Sequence, residues 1–260
     1  MQKLTVVMPT YKRLEMLALA LERLRQCPES SQVEVRIHLD HSNETHVAEA
    51  RLNETEYVRD TYFPDAQIYV AKNHPLAPSG CWNILHALKA GWETGAEYIA
   101  LVEEDCLVKP DFFQKHLALQ ASDDYFVTSG RALSYLGEDY YTNPGSCYRR
   151  DKLALVIPHI NDAYFADLTG YLDRHFGQMP DGGNLDDGLV RRVMRSVQGI
   201  AKCVSPAVVS HVGFHYYQRM QHYKNEGSIQ ERVSWLREFL SDIPARKRAD
   251  PRYIGDLEEI

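Results

Sequence analysis

The sequence predicts an α/β fold in which a sheet rich in parallel strands is covered by helices on both faces. Three observations predict it. Short apolar, β-branched runs alternate with segments whose apolar residues recur at helical spacing through the first 130 residues. The early apolar runs stop on polar or turn-forming residues. The length of 260 residues, with 44% hydrophobic and 25% charged, suits one large globular unit, or one with an extension.

The elements follow in order. "KLTVVMP" (3–9) is a first strand stopped by Pro9. Leu14, Leu17, Leu21 and Leu24 place one apolar stripe on a helix over 13–27. "VEVRIHLD" (33–40) is a second strand ending on Asp40, residues 44–62 are a polar helix, and "AQIYVA" (66–71) is a third strand. A helix is expected over 79–95, capped by Ser79 and stopped by Gly95. "EYIALVEED" (97–105) is a fourth strand, followed by a helix over 110–121 with Pro110 in its first position and a strand over 125–131. Beyond 131 the pattern turns irregular and rich in Gly, Tyr and Asp. A helix (187–199), a strand (201–213) and an amphipathic helix (228–241) follow, and the residues after 241 read as extended.

In parallel sheets ligands sit at the carboxyl ends of the strands. Those ends carry Pro9-Thr10-Tyr11, Asp40-His41-Ser42 and Glu103-Glu104-Asp105. Three adjacent carboxylates repel one another, and a hard divalent cation carrying a diphosphate would offset that repulsion. The plainer alternative is a solvated loop in which Asp105 or Asp111 caps the next helix.

The net charge of −7 argues against a broad nucleic-acid footprint. No apolar stretch approaches the roughly 20 residues of a membrane span. The start "MQKLTVVMPT" reads as a strand rather than a leader. Five scattered cysteines without a CxxC suggest reduced thiols, a cytoplasmic location and no zinc cluster. The phosphate-loop motif, GxGxxG after the first strand and a G-x-S-x-G elbow are all absent.

Several segments in order carry a resemblance. "LTVVMPTYKR" is similar to the opening P-T-Y-N-R of the large family 2 of nucleotide-sugar-dependent glycosyltransferases, and "IHLDHSN" to its D-D-x-S strand end. "SGCWNILHALKAG" resembles the helix bearing an Arg-Asn pair, with Trp82 in place of the Arg and Asn83 kept. "LVEEDCLVKPDFF" resembles the E-D-D segment of the N-acetylglucosaminyltransferase I family. "CYRRDKL", "NLDDGLVRRV" and "VSPAVVSHVG" resemble the family-2 segment after the fifth strand, the element with the catalytic base and the late strand ending in His. The likeness spans about residues 3 to 215. His41, Asp186 and Trp82 depart from the pattern.

The resemblance implies a GT-A (Rossmann-like), mostly parallel mixed sheet flanked by helices. It also implies an irregular acceptor-side region and a C-terminal helical extension. Residues 1–225 would form the catalytic domain, with 1–130 holding the nucleotide sugar and 131–225 the acceptor and base, and 226–260 the extension. The implied activity is inverting transfer from a nucleotide sugar, uridine diphosphate first, to an acceptor hydroxyl with Mn²⁺ or Mg²⁺. Asp105 is then a metal ligand, joined by His211. Asp187 is the base and Asp186 the lesser candidate. Pro9, Thr10, Tyr11, Arg13, Asp40, Asn83 and Glu104 face the nucleotide sugar. Glu103 joins them unless strand alternation turns it away.

Each residue also has a structural reading. Asp40 forms a turn, Tyr11 is a core-edge aromatic, and Arg13 is a solvated first-turn residue. Asp186-Asp187 cap a helix, and Arg149-Arg150 form a surface pair rather than a phosphate contact. His211 is structural, as is His215 four residues on. "ARKR" (245–248) is a solvated run unless it meets an acidic acceptor. Gly182-Gly183 suggests a loop that closes over the donor. The acceptor stays open among a glycan, a protein, a small molecule and modified DNA. A nucleotidyltransferase or a non-catalytic sugar-nucleotide binder of the same fold are the other readings. The first of these usually carries a Gly-rich basic loop after the first strand, and "MPTYKRLEM" has no Gly.

Overall fold

A computed structural model describes residues 3–11, 13–40, 45–71, 79–131, 141–178, 183, 185–213 and 227–249. Strand β1 (Leu4–Thr10) is buried at all seven positions, as a central parallel strand must be. It lies between β2 (Val33–Leu39) and β4 (Tyr98–Leu101), parallel to both, and β3 (Gln67–Val70) pairs outside β2. Helices α1 (Leu14–Arg25), α2 (Thr45–Tyr62) and α3 (Ser79–Glu93) form the connections. Gly95, at φ +77°, follows α3 where the sequence places its stop.

The later elements are β5 (Cys106–Val108), α4 (Phe112–Ser122), β6 (Val127–Ser129), β7 (Ser146–Arg149) and α5 (Arg150–Leu153). Then come α6 (Asp162–Ala166), α7 (Leu168–Phe176), α8 (Asp186–Ser196), β8 (Ala201–Cys203), β9 (Val209–His211) and α9 (Ile229–Ala249). The seven-stranded sheet has the order β3-β2-β1-β4-β7-β6-β8. Only β7 runs against the others, antiparallel to β4 and β6. Strands β5 and β9 form a separate antiparallel ribbon.

Alternation along β1 divides the core. Val6 and Met8 pack with Leu17, Leu21, Phe112 and, from α9, Val233 and Leu236. Val7 points the other way and packs with Leu85 and Leu88 of α3 and Leu189 and Val193 of α8.

Several sequence expectations change. The fourth strand stops at Leu101, and Glu103-Glu104-Asp105 lie in the turn beyond it. The expected strand over 201–213 is two strands in different sheets. The irregular stretch after 131 contains β7, which sits in mid-sheet. Pro110 precedes α4 rather than opening it. Asp111 stands at the N-cap without a capping hydrogen bond and pairs with Lys115 instead. The last helix runs on to Ala249 through residues expected to be extended. His41, Ser42, Gly182 and His215 fall outside the described residues.

Candidate active site

The carboxyl ends of β1 and β2 are level, with Thr10 opposite Leu39, and Asp40 N–H donates to Thr10 O at 2.8 Å. Strand β4 ends earlier, with Leu101 opposite Val7, so the acidic turn that follows comes up beside Tyr11. These ends enclose a cavity of about 200 Å³. All eight residues expected to face the nucleotide sugar line it: Pro9, Thr10, Tyr11, Arg13, Asp40, Asn83, Glu103 and Glu104. Gly80 and Ile84 of α3 complete the wall, a contribution that "SGCWNIL" signals only as helix. Glu103 therefore faces the cavity. Having left the strand, it is no longer bound by strand alternation.

Buried Asn83 donates from Nδ2 to His38 O at 2.8 Å and ties α3 to β2. Its Oδ1 is buried with no hydrogen-bond partner among the described residues, so an acceptor is left at the cavity wall. Asp40 is buried beside it at 5% exposure. Tyr11 is exposed, with the Arg51 guanidinium 5.2 Å from its ring centroid.

Arg13 organises the acidic turn as well as lining the cavity. Its Nε donates to Glu104 Oε1 at 2.6 Å and its Nη1 to Asp105 Oδ2 at 2.7 Å. Tyr11 N–H donates to the other Glu104 oxygen at 2.8 Å. Burial pushes the Glu104 carboxyl upward despite these bonds. Burial also pushes Glu103 up, reinforced by the charges of Asp105 and Asp186. For Asp105 burial acts upward too, but the His211 imidazole and the Arg13 guanidinium outweigh it and hold the carboxyl down at about 2.

His211 Nε2 stands 3.2 Å from Asp105 Oδ2, because Cys106 pairs with His211 across the β5–β9 ribbon. A carboxylate with one imidazole suits Mn²⁺ better than the oxygen-seeking Mg²⁺. Among the described residues no group of three or more His, Cys, Asp and Glu forms a complete cage. Gly213 is packed against Asp105 and Arg13: a Cβ there would lie 1.8 Å from Asp105 Oδ2 and 2.7 Å from Arg13 Nη1. Asp105 Oδ2 is already met by both the Arg13 guanidinium and the His211 imidazole, so a metal held by Asp105 and His211 would have to displace the guanidinium.

The two candidate bases differ sharply. Asp187 Oδ2 is paired with Arg191 Nη2 at 2.7 Å, one helical turn on, and the Asp187 side chain is 43% exposed. Asp186 is buried at the start of α8 and accepts from Asn143 Nδ2, whose Oδ1 in turn accepts from Tyr141 Oη. Burial, then the neighbouring Asp187 charge, lifts Asp186 from 3.8 to about 7. Asn143 was not singled out from the sequence, where Asn143-Pro144-Gly145 signals only a turn.

Arg149 and Arg150 lie away from this edge. Antiparallel β7 carries Arg149 opposite Tyr98, at the far end of the sheet. There Arg149 pairs with Asp124 and Asp151, and Arg150 packs over Trp92.

No protein-family model matches the chain, and no curated protein matches its sequence. Among solved structures it is similar to S. aureus TarS 1–349, at 14% identity and a TM-score of 0.47, over 80% of this chain and 59% of that one. It is also similar to the mannosyltransferase PcManGT from Pyrobaculum calidifontis in complex with GDP-Man and Mn²⁺, at 14% identity and a TM-score of 0.47, over 89% and 68% of the two chains. A cytidylyltransferase from Leptospira borgpetersenii follows at 10% identity and a TM-score of 0.44, over 67% and 72%. The chain thus spans about three-fifths of the TarS fragment's length. All five cysteines are buried and none forms a disulfide. No helix among the described residues is long and apolar enough to cross a membrane.

Proposed function

We propose that the chain is an inverting, divalent-metal-dependent glycosyltransferase that moves a sugar from a nucleotide sugar to an acceptor hydroxyl. One observation carries this reading. A cavity at the carboxyl ends of β1, β2 and β4 brings Asp40, Asn83 and the acidic turn together, and the charge of buried Asp186 reaches that turn at Glu103.

In this reading Asp40 accepts from the imide N–H of a uracil, and Tyr11 packs on the base. Asp105 and His211 would hold Mn²⁺ or Mg²⁺, which would supply charge neutralisation for the leaving diphosphate. The acceptor oxygen attacks the anomeric carbon, the bond to the diphosphate oxygen breaks, and the acceptor's proton passes to a carboxylate. The sequence resemblance assigns that proton to Asp187. The geometry supports Asp186, whose pKa near 7 suits a base working at neutral pH, whereas Asp187 is committed to Arg191.

The test is release of nucleoside diphosphate from UDP-sugars and GDP-sugars with and without Mn²⁺, in Asp105→Ala, Asp186→Asn and Asp187→Asn. Loss of turnover in the first two with donor binding retained in Asp186→Asn is expected. Full turnover in both would sink the assignment. Release of inorganic diphosphate from a nucleoside triphosphate instead would mark a nucleotidyltransferase.

A further inference from the structure

A second, larger concavity lies outside the donor cavity. It is an open groove of about 800 Å³ between α3 on one side and α6 and α7 on the other. Trp82, His86 and Lys89, spaced so as to share one face of α3, form the first wall. Phe165, Tyr171 and His175 form the second. The volume falls within the range of roughly 300–1,000 Å³ typical of ligand sites.

The walls are built from fixed rings. Trp82 and His86 stack with centroids 3.6 Å apart, and Phe165 tilts against Trp82 at 4.5 Å. Across the groove Tyr171 and His175 stack at 4.0 Å. The Tyr171 hydroxyl lies 3.0 Å from His159 Nδ1 and accepts from Asn161 Nδ2, which sets its ring in place. His175 is exposed. Between the rings, Lys89, Asp162 and Arg174 supply both signs of charge. Among the described residues Arg174 pairs with exposed Asp167 at 3.0 Å, an interaction a ligand can exchange at little cost.

We propose that this groove binds the distal part of a carbohydrate acceptor chain. Pyranose rings present flat C–H faces that lie on aromatic rings and hydroxyls that both donate and accept. An aromatic groove with mixed charges answers both needs. A polyanion is disfavoured, since two cations and one anion in the groove and a chain charge of −7 give little phosphate neutralisation.

The groove shares helix α3 with the site proposed above, on which this assignment rests for its acceptor role. Helix α3 serves both: Gly80, Asn83 and Ile84 line the donor cavity, while Trp82 and His86 line the groove. Tyr164, next to Phe165, places its hydroxyl 3.9 Å from Cys81 Sγ, and the charge of Asp186 bears on both side chains. One layer of side chains therefore separates the groove from the proposed base.

The test uses the full chain labelled with 5-fluorotryptophan, with the Trp82 resonance assigned by its loss in Trp82→Phe. The probes are neutral hexasaccharides of glucose, mannose and N-acetylglucosamine, and a short oligothymidylate. UDP and GDP binding are measured separately by calorimetry. At least one hexasaccharide is expected to shift the Trp82 resonance with a Kd in the millimolar range. The double variant Arg174→Ala/His175→Ala should weaken it about tenfold while leaving UDP binding unchanged. No response to any hexasaccharide up to about 10 mM, a response indifferent to the double variant, or preferential binding of the oligothymidylate overturns the proposal. Hexasaccharide binding in a protein that binds neither UDP nor GDP would keep the groove and remove the donor reading. UDP binding without hexasaccharide binding would do the reverse.

Discussion

Replacing Asp186 by Asn tests the candidate base through stability alone, with no substrate in hand. Burial and the Asp187 charge raise the folded-state pKa of Asp186 from 3.8 to about 7. The folded protein thus binds this proton more tightly than the unfolded chain. Between those two values the unfolded state holds fewer protons, so stability falls as pH rises and levels off above about 7. Three units at about 1.4 kcal/mol each give a cost near 4 kcal/mol above neutrality and almost none at pH 3. Asn cannot ionise and still offers an oxygen to Asn143. The variant should therefore be more stable than the parent by about 4 kcal/mol at pH 8, with the gain fading toward pH 3. Urea unfolding followed by fluorescence at stepped pH reads the difference. The Asp186 charge also raises Glu103, so its loss in the variant relieves that repulsion and adds to the gain at high pH, in the same direction. A difference that stays constant with pH, or an Asn variant less stable at pH 8, would refute the raised Asp186 and with it the choice of base.

Three further outcomes are expected. Arg13→Ala leaves Glu104 and Asp105 buried without their guanidinium, so it should cost about 3–5 kcal/mol in unfolding experiments. Mn²⁺ should restore part of that loss and raise the variant's melting temperature more than the parent's; equal shifts would mean that the cation does not bind at Asp105. Gly213→Ala forces the Asp105–His211 pair apart, because its Cβ would meet Asp105 Oδ2 at 1.8 Å, and Mn²⁺ affinity by electron paramagnetic resonance should fall about tenfold or more. Asp40→Ala removes a buried acceptor from the cavity, and the Kd for UDP by calorimetry should rise about tenfold with the melting curve little changed.

The first half of the sheet was legible because parallel strands carry long apolar runs and end together. "LTVVMPT", "VEVRIHL" and "YIAL" each announce a strand, and their carboxyl ends do enclose the cavity. The second half was not. β7 is four residues long, follows an Asn-Pro-Gly turn and gains its stability from β4 and β6 rather than from its own pattern. β5 and β9 have three residues each, too few for a period to declare itself. At the site, residue types could be read but not partners. Nothing local in "PTYKR" tells whether Arg13 faces a ligand or the acids ninety residues later. Likewise "LDDG" does not tell that Arg191 takes up Asp187 and leaves Asp186 buried.

The β5–β9 ribbon has a consequence for how the protein matures. It joins segments about a hundred residues apart, and it sets Asp105 beside His211 through three paired positions. A slip of one residue would turn His211 to the opposite face of the ribbon. During synthesis the cavity's walls, all drawn from residues 9 to 104, emerge well before residue 211. A nascent chain that has not reached β9 lacks both this imidazole and the α9 side chains that close the core behind β1, so the site and that half of the core are completed together, late in synthesis.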